Sequence, residues 1–245
     1  MMDSGLQTTE PLDFGTGLLG DAPQSIVEYL RQANELPSLR GRHVYFVGLG
    51  WTASPQPALD IANRKKVVAI WEQIAKAGGA SCVKIDPTTN TRNAVPNRPP
   101  VAIVTPPPPP GPLQPCSVIN LGDNNHVGFD FNSTTFRDPS GAQATLRQLA
   151  DLIIKSGERV TLIGSTSSEG SNEYNQRLSL RRANAVKAVL VRLGVPASRI
   201  TAIGDGSHLP GRVNDRGPSG HLLIGPAIED RKVVAKLAGS KCPGN

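Results

Sequence analysis

Apolar residues fall at helical spacing in four long stretches of the chain and crowd or alternate in several short ones between them. In Ser25–Asn34, Ile26, Val27 and Leu30 share a face; in Leu59–Ala77, Ile61, Val68, Trp71 and Ile74 do so and leave Arg64, Lys65 and Lys66 outside. His43–Gly48 is a β-branched and aromatic run, the mark of a buried strand, and Ser81–Ile85 is a shorter one. Strand, crossover helix, strand is the parallel unit of a Rossmann-like sheet. Residues 1–94 therefore predict a partial Rossmann-like α/β segment, because the first strand of a full sheet would have to start almost at Met1.

The second half repeats the alternation of periods. Val127–Phe131 alternates as a strand, and Ala142–Ser156 is an amphipathic helix with Ala142, Leu146, Leu149 and Ile153 on one stripe. Arg159–Gly164 predicts a strand, and Glu173–Leu193 a longer helix closed by Gly194 and Pro196. Ile200–Ile203 and Lys232–Leu237 are further short strands, the last after a Gly/Pro-rich stretch at Gly204–Pro226. A β-α-β-α-β order with one more strand predicts a two-layer α/β sandwich, helices on one face of a mixed sheet.

Between the halves the composition changes. Ten of the 22 prolines lie between Val95 and Pro115, including the unbroken run Pro106–Pro110. Polyproline has no internal hydrogen bonds and rises ~3.1 Å per residue, so residues 95–115 read as a semi-rigid linker, with a ligand for an SH3-type partner as the other use. The chain thus divides into 1–94, 95–115 and 116–245.

Charge separates the halves further. The net charge is +6; residues 1–115 hold 10 basic and 9 acidic groups (+1), and residues 116–245 hold 16 and 11 (+5). The basic excess belongs to the second half and predicts an anionic partner there, nucleic acid or an anionic wall polymer. Nucleic-acid binding lacks interleaved aromatics, since Phe129, Phe131, Phe136 and Tyr174 are the only ones in that half. No stretch approaches the ~18 apolar residues of a membrane helix, and the first residues carry no basic or apolar leader pattern, which predicts a soluble chain.

The chemistry of catalysis has few candidates. Gly48-Leu49-Gly50-Trp51-Thr52-Ala53 matches a dinucleotide fingerprint after a strand, but Ser54-Pro55-Gln56-Pro57 delays the helix whose N-terminus a pyrophosphate needs. A glycine turn leaving a sheet is the preferred reading. No nucleophile elbow, zinc-helix motif or phosphate loop is present, and His43, His126, His208 and His221 stand singly, so neither an enzyme, a metal nor a cofactor is expected. Of the three cysteines, Cys116 and Cys242 bracket the second half, where a bridge would tie its ends together unless the tail is disordered; Cys82 reads as a buried small hydrophobe.

Gly164-Ser165-Thr166-Ser167-Ser168-Glu169-Gly170, then Tyr174-Asn175, then Leu178 to Ala183, with Gly194-Val195-Pro196 and Asp230-Arg231-Lys232-Val233 further on, resembles the OmpA-like domain. The resemblance runs over Val127–Leu237 and takes in Phe129-Asp130-Phe131; residues 1–94 are similar to the segment preceding such domains in actinobacterial proteins. It implies non-covalent binding of the peptidoglycan stem peptide through its diaminopimelate, a zwitterion that needs a cation for its carboxylate and an anion for its ammonium. By that resemblance Arg182 grips the carboxylate and Asn175, seven residues or two turns earlier, shares its face. Asp130 and Arg231 match positions lining the same pocket, and Thr166 matches the loop threonine.

The departure is at the anion. Where the family has Asp this chain has Ser167, and the preceding family His is Ser165; Glu169 could restore the charge from a shifted position. The expectation is a non-catalytic cell-envelope protein binding peptidoglycan outside the cytoplasm, its missing export signal reflecting a truncated N-terminus. The alternative is a fold that has lost its ligand and acts as a protein-interaction module. Oligomeric state is left open.

Overall fold

The computed structural model describes residues 4–88, 102–106, 108, 110–218, 220–240 and 242. The chain forms two compact units, Met1–Pro108 and Pro109–Asn245.

In the first unit, β1 (His43–Val47) and β2 (Cys82–Asp86) pair in parallel, His43 opposite Cys82 through Val47 opposite Asp86. Helices α1 (Pro23–Gln32) and α2 (Ile61–Ala77) complete it, α2 beginning where the Asp60 side chain accepts the Asn63 N–H. Among the described residues the sheet has only these two strands. Gly48 and Gly50 have positive φ, and a Cβ on Gly50 would come within 3.0 Å of the Arg64 backbone, so the motif is a tight turn against α2. No helix opens there; the next begins at Ile61.

Residues 95–101, 107 and 109 of the proline-rich stretch lie outside the described residues. Within the remainder Val104 is buried, and the Gln56 amide both donates to its carbonyl (2.9 Å) and accepts its N–H (2.7 Å). Residue 104 thus belongs to the first unit. Cys82 is half-buried rather than buried.

The second unit is a four-stranded sheet in the order β3-β6-β4-β5, from β3 (Val118–Leu121), β4 (Arg159–Gly164), β5 (Ile200–Gly204) and β6 (Val233–Ala238). Strand β6 runs antiparallel to β3 and β4, and β4 parallel to β5, which makes the sheet mixed. Helices α3 (Pro139–Ser156) and α4 (Asn172–Arg192) bury Leu146, Leu149, Ile153, Val186 and Leu190 against Val160, Leu162, Ala235 and Leu237 in one core. The α/β sandwich is as the periodicity predicts.

Three features differ. Val127–Phe131 is no strand but a loop with a single bridge, Phe129 to Phe136. A Cβ on Gly128 would lie 1.4 Å from the Asp123 carboxylate, Asn132 turns the chain at φ 52°, and Arg137 donates to the Phe129 carbonyl (2.6 Å). Those contacts bend the segment out of the sheet. The first strand of this unit is instead β3, whose short Val-Ile-Asn-Leu alternation follows the prolines. A short helix, α5 (Ile224–Glu229), stands at the end of the stretch read as loop.

Two glycines let α4 approach the sheet. A Cβ on Gly164 would sit 1.9 Å from the Ser179 carbonyl, and one on Gly204 2.6 Å from the Gln176 carbonyl. With the strand ends this close, the loop after β4 lies directly against the first turns of α4.

Cys116 and Cys242 form a disulfide across 126 residues of sequence, and buried Glu158 accepts the Cys116 N–H at 2.8 Å. Closing so long a loop constrains the unfolded chain by up to ~4–5 kcal/mol. Replacing both cysteines by serine is expected to lower the urea midpoint correspondingly; an unmoved midpoint would contradict the bridge.

Candidate functional site

The loop Ser165–Gly170 and the buried face of α4 enclose a cavity of about 240 Å³. Ser171 caps α4 by accepting the Tyr174 N–H at 3.2 Å, so Asn175 lies one turn inside the helix and Arg182 two turns beyond it. Both are 2% exposed, whereas Arg177 and Arg181 face solvent. Leu178 shares their face, and Phe131, Asn132 and Tyr174 form the remaining wall.

Of the seven residues singled out in the sequence, six line this cavity: Thr166, Ser167, Glu169, Asn175, Arg182 and Arg231. Asp130 does not. Its carboxylate lies 3.8 Å from the Arg137 guanidinium, outside the lining. The displacement follows from the bend at residues 127–131, which removes Asp130 from the strand end where the alternation would put it.

Arg182 is the centre of the site. Its Nε donates to the Ser133 carbonyl at 3.1 Å and its guanidinium lies 5.3 Å from the Phe129 ring. Among the described residues no carboxylate pairs with it. Burial, then the neighbouring charges of Arg231 and Arg137, push its pKa down to about 9. It remains a cation at neutral pH, but an uncompensated one, which an entering anion would stabilise.

The other polar groups are arranged around it. Arg231 reaches over the Phe131 ring (5.2 Å), donates to Ser167 Oγ (3.3 Å) and pairs with Glu169 (3.2 Å). The Asn175 side chain donates to the Ser167 carbonyl at 3.4 Å. The Thr166 hydroxyl, 2% exposed, has no hydrogen-bond partner among the described residues. A buried hydroxyl left unmade is costly, and a ligand polar group in the cavity would satisfy it.

A second charged cluster holds the loop in place. Arg212 Nη2 lies 2.8 Å from both Asp215 and Asp230, two carboxylates with no exposed surface. Asp215 also accepts the Ser168 N–H at 2.6 Å, and Asp230 the Val213 N–H at 3.1 Å. Burial pushes the Asp215 carboxyl up, but the Ser168 bonds and Arg212 outweigh it and hold the pKa below the usual range. For Asp230 burial wins and its pKa is raised. This triad is not marked in the sequence, because Arg212 and Asp215 sit in a Gly/Pro-rich stretch without periodicity and Asp230 lies beyond its end. The signal available was Arg212 three residues before Asp215.

The only grouping with metal-ligand geometry among the described residues is Cys116, Glu158 and Cys242, whose cysteines are bonded to each other.

Residues 128–219 match the family model described as the OmpA family; β6 and Arg231 lie beyond the match. Over 118 residues the chain is 40% identical to Outer membrane protein A of Shimwellia blattae, covering 46% of this chain and 48% of that protein. It is 38% identical to Outer membrane protein A of Klebsiella aerogenes over 120 residues, covering 47% of this chain and 34% of that protein. It therefore spans half or less of the length of these relatives. Among solved structures, the peptidoglycan-associated lipoprotein from Burkholderia pseudomallei aligns at 25% identity and TM-score 0.38, over 45% of this chain and 86% of that one. The periplasmic domain of Helicobacter pylori MotB aligns at 18% identity and TM-score 0.40, over 50% and 76%. No helix among the described residues is long and apolar enough to cross a membrane. The second unit of this chain carries an OmpA-family domain over residues 128–219.

Proposed function

We propose that this chain is a non-catalytic cell-envelope protein whose second unit binds peptidoglycan, holding a carboxylate of the stem peptide on Arg182. The observation that carries the reading is a buried guanidinium without a carboxylate partner among the described residues, opening on a cavity about the size of an amino-acid side chain with its backbone. A guanidinium offers two parallel N–H donors to a carboxylate, the strongest common geometry for that pair. The excess of basic residues in the second half suits an anionic wall. A disulfide tying that unit's ends suits an oxidising compartment outside the cytoplasm.

The test is co-sedimentation of the full chain with insoluble peptidoglycan. The expected result is binding that an excess of soluble stem peptide competes away and that survives moderate salt. Binding lost to salt but untouched by the competitor would mean surface charge alone. No binding would favour the protein-interaction module.

A further inference from the structure

The cavity is built for an anion rather than for a zwitterion. Its charged lining groups are Arg182, Arg231 and Glu169, a balance of one positive charge. The one lining carboxylate is already engaged: Glu169 sits 3.2 Å from Arg231, with its side chain 43% exposed at the rim. The groups deeper in the cavity that can accept a hydrogen bond are all neutral: the Thr166 hydroxyl, the Ser167 hydroxyl and the Asn175 amide oxygen. Asp130, a carboxylate nearby in sequence, is not among the lining residues.

An ammonium entering beside the carboxylate would lose its water, meet two guanidinium groups, and receive only neutral acceptors in return. A buried cation without an anion is penalised heavily, whereas an amide N–H needs one neutral acceptor. We infer that the site prefers a carboxylate whose neighbouring nitrogen is acylated over one that carries a free ammonium. In peptidoglycan this is the cross-linked form of the diamino acid: the cross-link acylates its side-chain amine, removes the positive charge and leaves an amide N–H. The inference rests on the wall-binding reading and adds the state of the wall to it. A protein so built would count finished cross-links rather than free stems.

Two soluble tripeptides separate the alternatives, both L-alanyl-D-isoglutaminyl-meso-diaminopimelate amidated at the L-centre so that the one remaining carboxylate stands beside the side-chain amine: one with that amine free, the other with it acetylated. Titration calorimetry of the full chain is expected to show the acetylated peptide binding roughly 10–100-fold tighter, the value of one missing charge-assisted hydrogen bond. Ser167→Asp places a carboxylate beside Arg231 and should shrink or reverse that preference. Glu169→Gln, at the half-exposed rim where folding is not at stake, should widen it. Equal or tighter binding of the free-amine peptide by the natural chain overturns the inference. So does failure of both peptides while co-sedimentation with the wall persists, a result that leaves the wall-binding reading standing. Failure of both together with absent co-sedimentation overturns the two at once.

Discussion

Arg182→Met is expected to abolish stem-peptide binding while leaving the fold at least as stable as before. The two effects share one cause. The guanidinium is buried with no anionic partner among the described residues, and its pKa is pushed down to about 9 from an ordinary 12.5, so the folded state resists its charge. A base whose folded pKa lies below its unfolded one binds fewer protons when folded. The penalty is therefore fully present at pH 7 and is relieved only as pH rises through about 9. Removing a buried charge that has no partner also removes its desolvation penalty, so a hydrophobe of similar length is expected to be neutral or stabilising there. Met supplies an unbranched apolar chain of similar reach and gives up the guanidinium's contact with Phe129 and the bond to Ser133. Binding has no such compensation. Losing one partner of a buried charged pair costs roughly 2–5 kcal/mol, between about 30-fold and 4,000-fold in affinity. Thermal melts and peptide titration of the same variant check both halves. A variant that melts well below the natural protein would make Arg182 a structural residue that holds the 130–136 loop, and would remove the reason for assigning it to a ligand.

The second large effect belongs to Arg212, which faces no ligand. Arg212→Met leaves Asp215 and Asp230 buried without their shared cation, a loss of about 3–5 kcal/mol at neutral pH. The pH dependence has a definite sign. In the natural protein the lowered Asp215 and the raised Asp230 act in opposite directions. Asp215 contributes stability that is lost as pH falls through its folded pKa, and Asp230 stability that is lost as pH rises through its own. Without Arg212 both carboxyls lose their cation and their folded values rise, that of Asp230 further above its unfolded one. The variant should then gain stability as pH falls from 7 towards 5, closing part of the gap to the natural chain. Urea unfolding at those two pH values reads it directly. Because Asp215 also holds the Ser168 N–H, the variant should weaken peptide binding as well, through a loosened loop.

Much of this was legible in the sequence, for identifiable reasons. Strand β4 carries a strict alternation that buries Val160, Leu162 and Gly164, and the helical stripes of α3 and α4 are long enough to fix their faces. The cavity-lining residues fell into place through motif spacing, because a helix carries Asn175 and Arg182 two turns apart whatever surrounds it. The burial of Arg182 was harder to read among three neighbouring arginines. Its signal is position: it stands four residues after Leu178 and four before Val186, on the stripe that packs the core. What escaped were features decided by tertiary contact. The 127–131 segment alternates like a strand, yet Gly128 against Asp123 and the turn at Asn132 bend it away and take Asp130 out of the site. The Arg212, Asp215 and Asp230 triad is assembled from three separate positions by loop geometry that no local period encodes.

The most direct test of the central claim is a nitrogen-detected NMR titration of the full chain with a soluble stem peptide, following the Arg182 side chain. Binding on Arg182 predicts a large shift of its Nε resonance together with Thr166, Ser167 and Asn175, while the exposed Arg177 and Arg181 stay in place. Shifts confined to those exposed arginines, with Arg182 unchanged at saturation, would place the wall on the surface and leave the cavity without its ligand.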